Sequence, residues 1–190
     1  MKVIIQIVLE NNEQDGQEPI IEKIFSFQRN DEGDKIALQS LGLSLEEAKS
    51  LLAGVHKKLV GEQVASYLSP KSNCPHCHQA YQHKGRHKIS FSTLFGKLKL
   101  DSPRFYRCEC QSEMKEPTKK NQKRSSFSPL AELLLARTAP EFTYLQTKWA
   151  ALMSYGLTSQ FLAEVLPLDK PISPSVLSKR KSEANRFAFR

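Results

Sequence analysis

Cys74-Pro75-His76-Cys77 and Cys108-Glu109-Cys110 contain all four cysteines of the 190-residue chain. Two close thiol pairs separated by a hairpin's length of chain have metal-ligand spacing. Four thiolates, contributed two and two, can close a tetrahedron around Zn2+ with Zn–S distances near ~2.3 Å. A Cys-x-x-Cys turn puts two sulfurs on one side of the ion. In a flat strand Cys108 and Cys110 would flank a residue pointing the other way, so Glu109 is expected in a tight turn that brings both sulfurs inwards. The expected centre is a structural zinc held by Cys74, Cys77, Cys108 and Cys110, closed and with no carboxylate placed as a base. Other readings stand beside it. Cys-Pro-His-Cys is also an oxidising redox motif when a helix N-terminus acidifies its first thiol, but His78 to Lys88 is polar and shows no helical pattern. A histidine among His76, His78, His83 and His87 could replace one cysteine, or the four could be plain buried thiols.

Between the pairs the chain reads as a hairpin, and with the knuckles as a zinc ribbon in outline. Ile89, Phe91 and Thr93 alternate with polar residues, Phe95-Gly96-Lys97 turns the chain, and Leu98, Leu100, Phe105 and Tyr106 return it to Cys108. Pro103 has no N–H for a ladder, which predicts a bulge or an edge there. The hairpin carries Lys84, Arg86, Lys88, Lys97, Lys99, Arg104 and Arg107. A metal at its base would hold those cations on one surface suited to phosphates, which position a protein without specifying sequence.

Charge points the same way. Residues 1–70 carry 7 Lys+Arg against 11 Asp+Glu, a net of −4, and residues 71–190 carry 21 against 9, a net of +12. A basic half of this size suits a polyanion, nucleic acid foremost; the bland alternative is a solvated lysine-rich surface.

Upstream, Val3, Ile5, Ile7 and Leu9 share one face of a predicted strand, and residues 20–28, with Phe25 and Phe27, form its hairpin partner. Ser44-Leu45-Glu46-Glu47 is a capping box. From it, Leu45, Ala48, Leu52, Val55 and Leu59 predict an apolar helical face that covers the hairpin, with the helix running to about Leu68 before Ser69-Pro70. Gly54 and Gly61 weaken its interior, and a dimerising coiled coil, the sharper alternative, wants more heptads and fewer glycines. Residues 111–126 are polar and basic and read as a flexible linker. Beyond them Pro129 opens a helix through Leu135. Pro140 opens the next, with Phe142, Leu145, Trp149 and Leu152 inside and Tyr155-Gly156 as its C-cap. Thr158 caps a short helix through Leu166, and Ser173-Pro174 starts a last one to about Asn185. Three helices in this order suggest a helix-turn-helix whose last helix faces DNA with Ser175, Ser178, Lys179 and Arg180, and with Lys181 on a phosphate. A plain helical bundle is the alternative.

The expected fold class is thus α+β: a β-hairpin and long helix over 1–70, a zinc-ribbon-like module over 71–110, a basic linker over 111–126 and a helix-turn-helix-like region over 127–190. No apolar run of about 18 residues occurs, so no membrane span is expected. The short apolar start is followed by Glu10, Glu13 and Asp15 rather than a cleavage site. The expectation is a prokaryotic cytoplasm, near the nucleoid, where thiols stay reduced.

Several stretches resemble bacterial insertion-sequence transposases of the ISKra type, in the broad DDE class. They are Leu41-Gly-Leu-Ser-Leu-Glu-Glu-Ala-Lys, Cys74-Pro-His-Cys, Leu94-Phe-Gly-Lys-Leu-Lys-Leu-Asp-Ser-Pro-Arg-Phe-Tyr-Arg-Cys108, Phe127-Ser-Pro-Leu-Ala-Glu-Leu-Leu, Tyr144-Leu-Gln-Thr-Lys-Trp-Ala-Ala-Leu-Met-Ser-Tyr-Gly-Leu-Thr158 and Glu164-Val-Leu-Pro-Leu. The resemblance implies an N-terminal region that binds the terminal repeats of an element in DNA transposition, followed by an RNase H-like domain with three metal-binding carboxylates. The family's knuckle cysteines map onto Cys74, Cys77, Cys108 and Cys110, with His78 standing where a glycine is expected. The acids after residue 127, namely Glu132, Glu141, Glu164, Asp169 and Glu183, match no catalytic position, so no catalytic residue is carried over. The sequence reaches Arg190 where the resemblance would start the catalytic domain, and Asn185 to Arg190 departs from it. The expectation is a DNA-binding N-terminal fragment with Zn2+ as structural cofactor. Its partner is double-stranded DNA of transposon ends, alongside self-association or association with full-length transposase. The rival expectations are the recognition half of a split transposase and a zinc-stabilised adaptor that binds protein.

Overall fold

A computed structural model describes residues 2–9, 19–29, 41–111, 125–168 and 170–180. Among these residues the fold is α+β, with two small antiparallel sheets and five helices. The chain divides into two compact units. The first is Met1–Lys58, Leu94–Gly96 and Gln146–Arg190, and the second is Leu59–Thr93 and Lys97–Leu145.

The first unit begins with the expected hairpin. Strand β1 (Lys2–Leu9) pairs antiparallel with β2 (Ile20–Gln28), from Lys2 opposite Gln28 to Leu9 opposite Ile20. Along β1 the burial alternates residue by residue, with Val3, Ile5, Ile7 and Leu9 on the covered face. The register slips between Ile5 and Gln6, whose partners are Phe25 and Lys23, so Ile24 is an extra residue in β2. Such a bulge re-aims one side chain. Here Ile24 is half-buried beside Phe25, and a Cβ added at Gly54 would lie 2.7 Å from its Cγ2.

Helix α1 (Leu45–Leu68) starts on the capping box: Glu47 N donates to Ser44 Oγ at 3.2 Å, and Ser44 N donates to Glu47 Oε2 at 2.8 Å. Gly54 is therefore more than a weak point in the helix, because it is where the helix meets the β2 bulge. Lys58 to Glu22 at 2.5 Å adds an ion pair between the same two elements. The predicted apolar face needs correction. Leu45, Leu52 and Leu59 are 55%, 47% and 47% exposed, while Ala48, Leu51 and Val55 are partly covered. In its second half the helix instead packs Val60, Val64 and Leu68. Val55 to Val60 is a step of about 140° around a helix of 3.6 residues per turn, so no single stripe serves the whole length.

The first unit also contains most of α3 (Pro140–Leu152), α4 (Tyr155–Val165) and α5 (174–180). Ser154, not Thr158, is the N-cap of α4, accepting from Leu157 N at 3.4 Å. Gly156 thus lies in the first turn of α4 rather than capping α3, and only Met153 and Ser154 separate the two helices. Serine wins because its oxygen reaches the amide three residues on. Thr158 is buried inside α4, its hydroxyl bonded to Ser154 O at 3.0 Å. Leu152 is 70% exposed, and Gln146 and Ala150 are buried in its place. Ala150, Leu162 and Leu177 are buried in this part, and Trp149 packs on Phe161 at 4.8 Å. Ser159 Oγ donates to Ile172 O at 2.6 Å and fastens α4 to the approach to α5.

In the second unit β4 (Gly96–Tyr106) lies between β3 (His83–Thr93) and β5 (Ser126–Phe127). Ile89, Leu98, Leu100 and Leu130 are the core, with Val60, Val64 and Leu68 of α1 against it. Each fully buried Leu or Ile contributes roughly 1.5–3 kcal/mol. In β4 the covered positions are Leu98, Leu100 and Ser102, then Phe105, so the parity switches across Pro103. β4 is the middle strand, but β5 pairs only with Phe105 and Tyr106, beyond the proline. Residues 112–124 of the predicted linker lie outside the described residues; Ser126, at its end, belongs to β5.

Helix α2 covers only Pro129–Leu133, shorter than the predicted run to Leu135. Residues 137–139 are engaged elsewhere: Ser92 N donates to Arg137 O at 2.9 Å and Ala139 N to Ser92 O at 2.8 Å. The Ser128 hydroxyl does not cap α2, because it is bonded to the buried Ser102 hydroxyl at 2.5 Å.

Candidate metal centre and basic face

The first knuckle is built by backbone bonds. Cys74 N donates to Gln79 O at 2.8 Å, His78 N to Cys74 O at 2.9 Å and Tyr81 N to Ser72 O at 2.9 Å. Asn73 and Ala80 form a β-bridge across the neck of the turn. To close it, His78 takes φ +58°, the left-handed region that a side chain enters at a cost. The second pair sits at a 3-10 turn, Glu109–Gln111, which is the tight geometry the Cys-x-Cys spacing demanded.

Four sulfurs converge from these two turns. The Sγ atoms of Cys74, Cys77, Cys108 and Cys110 lie within 4.8 Å of one another, and no disulfide joins them. Cys74 Sγ is 3.5 Å from Cys110 Sγ, and Cys77 Sγ is 3.4 Å from Cys108 Sγ. Cys74 is buried and the other three are half-buried. The Cys77 amide, followed by that of His76, hydrogen-bonds to the Cys74 sulfur and holds its thiol down to about 6, against desolvation. The Cys110 thiol is pushed up, first by its hydrogen bond with Cys108 and then by burial. One thiolate is thus favoured, and crowding opposes further ionisation. A cation at the centre removes that opposition, and a tetrahedral thiolate-binding metal fits the donor set. The cluster could hold a metal ion.

Aromatic rings surround it. Tyr81, Phe105 and Phe127 pack with the cysteines, with Tyr81 and Phe127 edge to face at 5.0 Å and Tyr81 and Phe105 at 5.9 Å. The group of potential ligands contains no histidine. His76, His78 and His87 are exposed, and His83 packs its ring 4.8 Å from Phe105.

No family model, curated protein or solved structure matches the chain. The chemistry of the centre therefore rests on its own geometry.

The predicted basic residues fall into two groups. Lys84, Arg86, Lys88, Lys97, Lys99 and Arg104 are all exposed on β3 and β4. Lys97 and Lys99 alternate with the buried Leu98 and Leu100, and Lys88 precedes the buried Ile89, so these three lie on the sheet face opposite the core. Lys84 is tied down, its Nζ 2.9 Å from Ser126 Oγ and 5.4 Å from the Tyr106 ring centre. The second group is on α5 in the other unit. Ser175, Ser178 and Lys179 are exposed there, Arg180 is half-buried, and Lys181 lies outside the described residues. The Ser173 hydroxyl engages that of Ser175 at 2.7 Å, and Val176 N bonds to Ser173 O at 3.0 Å.

Sequence reasoning missed Arg29. Its guanidinium grips Glu47 with two bonds of 2.6 Å, donates to Gly42 O at 2.9 Å and lies 4.6 Å from the Phe27 ring centre. Those bonds, Arg29 first and the Ser44 amide second, lower the Glu47 carboxyl from its ordinary 4.5 to about 2. No local pattern marks Arg29; its partner lies 18 positions away. No helix among the described residues is long and apolar enough to cross a membrane.

Proposed function

We propose that this chain is a DNA-binding module in which a structural Zn2+ on Cys74, Cys77, Cys108 and Cys110 holds a zinc-ribbon-like hairpin against the backbone of duplex DNA. The observation that carries the reading is the convergence of four thiols, joined by no disulfide, at the base of a hairpin whose outer face bears Lys88, Lys97 and Lys99. Zinc is the proposed ion because four thiolates in a closed tetrahedral set suit it. It has no substrate position, so its role is to order the hairpin. Lysines on a rigid face meet phosphates and release counterions.

The C-terminal helices supply the proposed sequence-reading part. Three successive helices, the last bearing the exposed Ser175, Ser178 and Lys179, support a helix-turn-helix-like reader, with the eight residues 166–173 before α5 longer than the usual tight turn. With the motifs quoted above, the most specific form of the proposal is the end-recognition region of an insertion-sequence transposase of the ISKra type, acting on terminal repeats in the prokaryotic cytoplasm. A second reading, a zinc-stabilised adaptor for another protein, is favoured by the exposure of Leu41, Leu45 and Leu52.

Titration of the zinc-loaded protein into terminal-repeat and scrambled duplexes at several salt concentrations separates the two. The DNA reading expects affinity for both that falls steeply with salt, and a preference for the repeat that survives it. Equal affinity for both duplexes would remove the transposase form of the proposal. No binding to either at low salt would leave the adaptor.

A further inference from the structure

The second unit contains an open cleft of about 470 Å³ beside the first knuckle. That volume lies within the roughly 300–1,000 Å³ of small-ligand sites. Tyr67, near the end of α1, lines it together with Tyr81 and Phe127 of the aromatic shell. Lys71 lines it too, with Nζ over the Tyr67 ring at 4.9 Å from its centre, as does the exposed Glu132 of α2. The metal cluster and the basic strands account for none of Tyr67, Lys71 and Glu132.

These groups select a guest by chemistry. Aromatic walls favour a flat ring, since stacking is available to any heteroaromatic system. The lining carries one charge of each sign, Lys71 and Glu132, so it suits a guest with an anionic group to meet the ammonium and a hydrogen-bond donor to meet the carboxylate. An aliphatic anion would satisfy the lysine but not the rings. A carboxylate in the lining accepts a hydrogen bond from an exocyclic amino group, as carboxylates do from cytosine. A nucleotide combines flat ring, amino group and anion.

We infer that this cleft receives one unpaired nucleotide of the bound DNA, its base against Tyr67 and its phosphate at Lys71. The inference rests on the DNA-binding reading and adds the form of the substrate: duplex with an overhanging or unpaired base. Taking the base from an intact duplex costs unpairing and unstacking, so an already unpaired base is preferred.

The test compares a blunt duplex with the same duplex carrying a short single-stranded overhang, using zinc-loaded wild type, Tyr67→Ala and Lys71→Ala. Circular dichroism and zinc content establish that each variant is folded; Lys71 is exposed, so its variant stands even if Tyr67→Ala fails to fold. Wild type is expected to bind the overhang duplex about tenfold more tightly. Both variants are expected to lose most of that gain while binding the blunt duplex within about twofold of wild type. Equal affinity of wild type for the two duplexes, or an overhang preference that survives in Lys71→Ala, would overturn the cleft assignment and leave DNA binding intact. Absence of binding to either duplex at low salt would instead overturn the DNA-binding reading, and this inference with it.

Discussion

The β1–β2 hairpin and the β3–β4 hairpin are held by different physics. The first is ordered by alternating apolar residues, a bulge that fits Ile24 against Gly54, and a charge clamp from Arg29 to Glu47. All of this is present in the polypeptide alone. The second has a small apolar core around Ile89, Leu98, Leu100 and Leu130, and at its base four thiols crowd together. Crowded thiols are poor glue without a cation. Helix α1 covers part of both, through Gly54 on β2 and through Val60, Val64 and Leu68 on the second core. What differs is that a small sheet, marginal by itself, ends in one case at a charge clamp and in the other at a thiol cluster that could hold a metal, so the two should fail under different conditions.

The largest effect should come from the proposed metal. If the cluster holds zinc as proposed, chelation or Cys74→Ser should remove most of the stability of the second unit, since zinc binding in structural four-thiolate modules supplies on the order of 10–16 kcal/mol of folding free energy. Hydrogen exchange checks this by region: amides of β3 and β4 should lose protection while those of β1 and β2 keep theirs. Uniform loss would erase the contrast. One zinc per chain by metal analysis, absent in the variant, completes the measurement.

Next is Gly54→Ala. Alanine favours helix by up to about 1 kcal/mol over glycine, yet its methyl would meet Ile24 Cγ2 at 2.7 Å. Overpacking at about 1–3 kcal/mol outweighs the gain, so a net destabilisation of about 1 kcal/mol is expected in urea denaturation. Adding Ile24→Ala should make the pair non-additive. Additive effects would mean that the helix does not rest on the bulge.

His78→Gly should act in the opposite direction. At φ +58° the histidine occupies a conformation natural to glycine, and relief of left-handed strain is partly offset by glycine's greater freedom when unfolded. A gain of about 0.5–1 kcal/mol is expected in the metal-loaded protein, read as a higher melting temperature, with zinc content unchanged.

The smallest effect is acid sensitivity of the first unit. The Glu47 carboxyl is lowered from 4.5 to about 2 in the fold. Its contribution is therefore complete above pH 4.5 and is lost as pH falls through about 2. Glu47→Gln should flatten that part of the urea-midpoint profile between pH 5 and 2. An unchanged profile would mean that the Arg29 clamp adds nothing to stability.

Much of the local structure was legible in sequence. The capping box, the two hairpins, Pro70 as helix stop and Pro140 as helix start depend on contacts within a few residues, and such contacts leave short-range patterns. The cysteine set was legible because metal geometry demands its spacing. The α1 face was misread because Leu45, Leu52 and Leu59 keep helical periodicity without being covered. Periodicity records what a helix offers, not which side a partner takes. The cap of α4 was misplaced because Ser154 and Thr158 are both competent caps, and the choice depends on which φ/ψ the preceding turn allows.

By itself the sequence determined the alternation of β1 and the start and stop of α1, because each is set by neighbours along the chain, and it marked the two cysteine turns, because each pair is a short local motif. Tertiary structure alone decided the rest. It put Gly54 under Ile24, Arg29 on Glu47, and Tyr67, Tyr81 and Phe127 around one cleft. These are contacts or constraints set when distant segments close on one another, and such closure has no short-range signature in the chain.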